Sequence, residues 1–131
     1  MQHAKAKLKR HAPLLGSILV VIALIGAAVY YSMQPGKLDA FTTCLEEQGA
    51  TFYGAFWCPH CNDQKRVFGR SQKLLPYVEC STPDRQNQTP ECAEAGITGY
   101  PTWEFADGER ATGPQTLATL AERTGCELPQ S

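Results

Sequence analysis

The sequence predicts a small α/β domain carried behind a single membrane-spanning helix. Three observations carry that reading. A basic, acid-free N-terminus runs into an unbroken apolar stretch. Helical and strand periodicities then alternate through residues 37–131. Asp107-Gly108, set between two short strand patterns, is the strongest hairpin signal in the chain.

Residues 1–13 hold Lys5, Lys7, Lys9 and Arg10 and no acid, and no charged residue occurs from Ala12 to Gly36. Leu14 to Met33 is almost wholly apolar; as a helix it would be roughly 30 Å long, enough to cross a bilayer core. Residues 14–33 read best as a signal anchor, with the basic tail cytoplasmic by the positive-inside bias and Tyr30 and Tyr31 at the far interface. A cleaved signal peptide, cut near Ala27 or Ala28, is the other reading, but the run is long for one. A buried core helix fits poorly, since the run is apolar on all faces. In either favoured reading the domain lies outside the cytoplasm.

Pro35-Gly36 ends that helix. Leu38, Phe41 and Leu45 recur at helical spacing, predicting a helix over 38–48 that stops at Gly49. Thr51 to Trp57 is aromatic-rich and reads as a buried strand. A second helix is expected over 59–74, with Pro59 at its first position, where a missing N–H costs nothing. Tyr77 to Cys80 reads as a strand, Ser81 to Gln88 as a polar turn, and Pro90 to Ala95 as a short helix closed by Gly96. Strands at 102–106 and 109–112 flank the Asp107-Gly108 turn, and Pro114 opens a last helix with Leu117, Leu120 and Ala121 on one face.

The net charge of −1 hides an asymmetry: four of twelve Lys and Arg precede the apolar run, while all thirteen Asp and Glu follow it. The domain therefore carries 8 − 13 = −5, the wrong sign for binding phosphates, and no nucleic-acid partner is expected. Six cysteines, Cys44, Cys58, Cys61, Cys80, Cys92 and Cys126, fall in this exported domain, an even count that points to disulfides.

Cys58 and Cys61 stand directly after a strand and at the start of a helix, in Trp57-Cys58-Pro59-His60-Cys61. The unpaired N–H groups and dipole of the helix start favour an anion, here the reactive Cys58 thiolate. Cys61 lies three residues on, close enough to close a disulfide. A protonated His60 would steady the thiolate further and make the pair a good oxidant. A zinc site would need a second ligand pair, which the sequence lacks, and haem attachment would need His at position 62, which is Asn62. No metal and no cofactor are expected. A purely structural Cys58–Cys61 bond would constrain the unfolded chain little.

These residues carry a resemblance. Phe56-Trp57-Cys58-Pro59-His60-Cys61 resembles the active site of the thioredoxin superfamily, and Gly99-Tyr100-Pro101-Thr102, followed by Phe105 and Gly108, resembles its second landmark. There the proline is cis and faces the redox cysteines. The match, over about residues 38–128, implies a thioredoxin-like fold with Cys58, Cys61, His60 and Pro101 as catalytic residues. FYGAFWCPHC, LPYVECSTPD and GYPTWEFADG are also similar to the thioredoxin-like domain fused to or paired with bacterial and plastid homologues of vitamin K epoxide reductase. That similarity implies a disulfide-forming arm that oxidises substrate protein thiols and passes electrons through a separate membrane partner to a quinone. An inner or thylakoid membrane, with the domain in the periplasm or lumen, is the implied location.

The sequence departs from the superfamily at Phe52, where many members keep a buried acid six residues before the first cysteine to accept a proton from the second. Glu104 is one substitute acceptor; a solvent-facing strand residue is the plainer reading of it. Cys80 and Cys92 flank the polar turn, so a bond there would be worth about 3 kcal/mol in the chain-entropy picture. Cys44 and Cys126, on the first helix and just past the last, would join the two ends of the domain. Cys80 and Cys92 could instead be a second redox pair, and all four could be free. Trp57, Pro59 and Tyr100 are expected to line a substrate groove, with Trp103 a further candidate that core packing explains equally well.

Two other functions compete with the oxidase. One is a thioredoxin-like reductant of the cytochrome c maturation type, which runs the same chemistry backwards. The other is a non-catalytic peptide-binding or chaperone module, against which both cysteines being intact argues.

Overall fold

The computed structural model describes residues 2–130, with side chains described from Leu15 onward. It divides into two compact units, Met1–Gln34 and Pro35–Ser131. The first is one helix, α1 (Gln2–Met33). Its Leu15–Met33 stretch is long and apolar enough to cross a membrane, and its large side chains are exposed throughout.

The second unit is a mixed α/β domain with the elements α2 (Asp39–Glu47), β1 (Thr51–Gly54), α3 (Pro59–Val67), a 3-10 turn (Gly69–Leu74), β2 (Tyr77–Glu79), α4 (Pro90–Glu94), β3 (Thr102–Glu104), β4 (Arg110–Thr112) and α5 (Leu117–Thr124). Its four strands lie in the order β2-β1-β3-β4; β1 and β2 are parallel, and the other two pairings are antiparallel. This is a thioredoxin-like arrangement: α3 crosses between two parallel strands, and a hairpin completes the sheet.

β1 and β3 are the inner strands, and alternation sends their side chains to opposite faces. Phe52 and Trp103 are cross-strand partners and stack with ring centres 4.9 Å apart. Phe41, Leu45, Phe68 and Leu120 join them in the larger core cluster. Tyr53 points the other way, into a smaller cluster with Cys80, Cys92 and Ile97. Covering both faces of β1 buries Phe52, Tyr53 and Gly54 in succession, which is why that strand lacks a polar side.

Three boundaries differ from the sequence expectation. The strand expected to reach Trp57 ends at Gly54, and Phe56 and Trp57 are 40% and 42% exposed on the turn into α3. Their aromatic character reflects presentation at the surface rather than burial. The helix expected over 59–74 stops at Val67, because Gly69 takes φ +54, and a 3-10 turn follows. The last helix starts at Leu117, capped by the Thr116 side chain on the Thr119 N–H, not at Pro114. Residues 113–115 are held elsewhere: the Gln115 N–H donates to Gln64 Oε1 at 2.5 Å, and Gln115 Nε2 donates to the Gly113 carbonyl.

Candidate active site

The β1–α3 junction builds the site. Cys58 is the N-cap of α3, with extended backbone (φ −75, ψ 119), and Pro59 occupies the first turn without needing a hydrogen-bond acceptor. The Cys61 N–H points at Cys58 Sγ, 3.4 Å away, so the sulfur takes the place a capping oxygen would fill. Cys58 keeps 6% of its surface exposed and Cys61 none. Both are thiols here. Of the two, only Cys58 retains any opening to solvent.

The loop before β3 closes the other side. The Tyr100–Pro101 peptide is cis, Pro101 is fully buried, and the Tyr100 carbonyl lies 3.9 Å from Cys58 Sγ. Trp57 meets the Tyr100 ring edge-on at 6.3 Å and donates its indole N–H to Ser81 Oγ at 2.7 Å. Gln88 Nε2 donates to the Tyr100 hydroxyl (3.0 Å) and to the Ile97 carbonyl (2.7 Å). The loop that positions both aromatics runs between Cys80 and Cys92, which are bonded to each other; Cys44 is bonded to Cys126.

The remaining sequence candidates fall in different places. His60 turns outward, its side chain 70% exposed and its Nδ1 3.9 Å from Asp63 Oδ2. Trp103 is fully buried, with its indole N–H on Gln64 Oε1, so it belongs to the core rather than to a groove. Glu104 is taken by Arg110, whose Nε donates to Oε2 at 2.6 Å. Glu104 acts on Tyr53, which belongs to the smaller cluster, whereas Cys61 belongs to the larger one, so Glu104 is not placed beside that thiol. Phe52 lies in the aromatic core.

Sequence reasoning passed over the residues that surround Cys61. A Cβ on Gly54 would sit 3.1 Å from Cys61 Sγ and 2.9 Å from Tyr77 Cε2, so only glycine lets the thiol and the ring edge share that space. Lys65 Nζ stands 3.4 Å over the Tyr77 ring. The Tyr77 hydroxyl donates to Glu79 Oε2 at 2.7 Å, and Glu79 Oε1 accepts the N–H groups of Phe56 (3.2 Å) and Ser81 (2.9 Å). Glu79 thus pins the turn carrying Trp57 and Cys58 to the end of β2. Burial, reinforced by the Cys58 hydrogen bond, pushes the Cys61 thiol up to about 12. Burial also raises Tyr77, and lowers Lys65 below the usual lysine range. The available signals were the four-residue step from Cys61 to Lys65 and a glycine inside an otherwise bulky strand.

A cysteine at a helix N-cap, a second buried one turn in, and a cis-proline loop across from them, all on this sheet, define a thioredoxin-like domain with a vicinal thiol pair. No protein-family model matches the chain. Over 91 residues it is 46% identical to the thiol-disulfide oxidoreductase LTO1 of Arabidopsis thaliana, an alignment covering 66% of this chain. The chain spans only 24% of that relative's length. The similarity supports a redox role for the domain.

Proposed function

We propose that this protein is a membrane-tethered thiol–disulfide oxidoreductase that oxidises substrate protein thiols through Cys58 and Cys61. The observation that carries the reading is the asymmetry of the pair: Cys58 caps a helix N-terminus and keeps a 6% opening to solvent, and Cys61 is fully buried one turn inside. In this account Cys58 is the sulfur that substrates attack and Cys61 the resolving thiol. Replacing Cys61 with Ser should trap mixed disulfides through Cys58, read as adducts on non-reducing gels. Equal trapping by a Cys58→Ser variant would overturn the assignment of roles.

The electron acceptor in this proposal is a quinone-linked membrane enzyme resembling vitamin K epoxide reductase. The closeness of FYGAFWCPHC and GYPTWEFADG to domains joined to that enzyme supports it, as does the apolar Leu15–Met33 helix. Anchoring α1 in the inner or thylakoid membrane, with the domain in the periplasm or lumen, would confine both proteins to one surface and raise their effective concentration. The test is to reduce the protein in membranes with and without such a partner and quinone, and to follow the Cys58–Cys61 redox state. Partner-dependent reoxidation is expected; reoxidation at the same rate without either would remove the partner from the account.

A further inference from the structure

Disulfide exchange at this site needs a route for the Cys61 proton, and the usual acid is absent, because position 52 is a core phenylalanine. We propose that Lys65 is that route: its ammonium steadies the Cys61 thiolate and carries its proton to and from solvent. Lys65 and Cys61 are four residues apart on α3, hence on one helical face. The Cys61 sulfur and the Tyr77 ring edge both border the space over Gly54, and the Lys65 ammonium rests on that same ring. Lys65 is only partly buried, so it reaches water while Cys61 does not. The titratable groups facing this cluster are Cys58 and Lys65 from the α3 segment, and Tyr77 and Glu79 from β2. Both Glu79 oxygens are already engaged, one by Tyr77 and the other by two backbone N–H groups, which makes Glu79 a positioning residue rather than the proton carrier.

The inference rests on Cys58–Cys61 being an exchanging pair, and the step balances as follows. A substrate thiolate attacks Cys58 Sγ and forms the mixed disulfide. The Cys58–Cys61 bond breaks, and its electron pair leaves on Cys61 as a thiolate. Lys65 gives that thiolate a proton and regains one from water. A second substrate thiolate then attacks the substrate sulfur of the mixed disulfide, releasing oxidised substrate and the Cys58 thiolate. The reverse reaction withdraws the Cys61 proton along the same path.

Two measurements on the full chain test Lys65. The first is alkylation of Cys61 by iodoacetamide in Cys58→Ser protein, followed from about pH 7 to 10 so that its pH dependence separates the thiolate fraction from reagent access; it needs no disulfide exchange. Adding Lys65→Met, which keeps the aliphatic stem on Tyr77, should slow it about tenfold, and Lys65→Arg should restore it. Lys65→Gln serves as a second neutral variant should Lys65→Met misfold. The second is opening of the oxidised pair by dithiothreitol across about pH 6 to 9, where Lys65→Met should be slower by on the order of threefold or more and its pH profile displaced. Wild-type alkylation rates and an unchanged pH profile in the neutral variants would overturn the proposal. A wild-type pair that dithiothreitol never opens would instead overturn the exchange reading, with the alkylation result still deciding Lys65.

Discussion

Cys58 and Cys61 are three residues apart yet meet different surroundings, because one caps a helix and the other is buried a turn inside it. The buried one has a measurable consequence. Burial pushes the Cys61 thiol up to about 12 in the folded protein, from an ordinary 9.0. Between those values the native state keeps a proton that the unfolded chain releases. The neutral thiol therefore contributes its full stability below about pH 9 and loses it as the pH rises toward 12. Tyr53 and Tyr77, also raised mainly by burial, act in the same direction, and Cys61 adds to the rise of Tyr77, so a Cys61→Ala comparison reads the cysteine together with its effect on that tyrosine. The thermal midpoint of the reduced wild type should fall more steeply above about pH 9 than that of Cys61→Ala; parallel curves would contradict this account of the thiol. At this scale the sequence was informative about the reacting atoms and silent about their neighbours. Two cysteines after a strand announce themselves. That Glu79 would grip the turn before Cys58, or that Lys65 would lie on Tyr77, depends on the parallel pairing of β1 with β2, which no local pattern encodes.

Among the elements, legibility followed the strength of the local signal. α2 and α4 matched their expected spans to within a residue or two, because a periodic apolar face and a Pro-to-Gly frame are read directly from neighbouring residues. The Asp107-Gly108 hairpin formed, with the Gly108 N–H on the Phe105 carbonyl. Two of the three misreadings share a cause: tertiary context overrode a local preference. Phe56 and Trp57 look like strand residues but serve the surface around Cys58, where Arg85 lies over Phe56 at 5.3 Å. Pro114 looks like a helix start, but Gln64, buried on α3, holds Gln115 in place and delays the helix to Leu117. A buried glutamine joining α3, Trp103 and the segment before α5 is a tertiary device that periodicity reads only as an inward-facing position.

At the scale of the whole domain, covalent ties supplement a modest core. Cys44–Cys126 joins residues 82 apart in sequence and fastens α2 to the segment after α5, so it closes nearly the entire domain. Cys80–Cys92 closes a loop of separation 12 that supports Trp57 and Tyr100, and both of its cysteines are fully buried. Replacing Cys44 and Cys126 should lower stability by about 2–5 kcal/mol, read by denaturant unfolding. Intact-mass mapping during mild reduction of the oxidised protein should find Cys58–Cys61 opening first and the other two bonds persisting. Reduction of Cys80–Cys92 together with the active pair would instead support a relay within the domain.

The central claim is that this domain withdraws electrons from substrate thiols, and the potential of the Cys58–Cys61 couple tests it most directly. The helix N-terminus at Cys58 and the Pro59-His60 pair between the cysteines are the features from which this proposal expects an oxidising couple. Equilibrated against glutathione, the couple should lie near or above the protein disulfide isomerase level of about −180 mV. A value near the thioredoxin level of about −270 mV would contradict the account and make the protein a reductant.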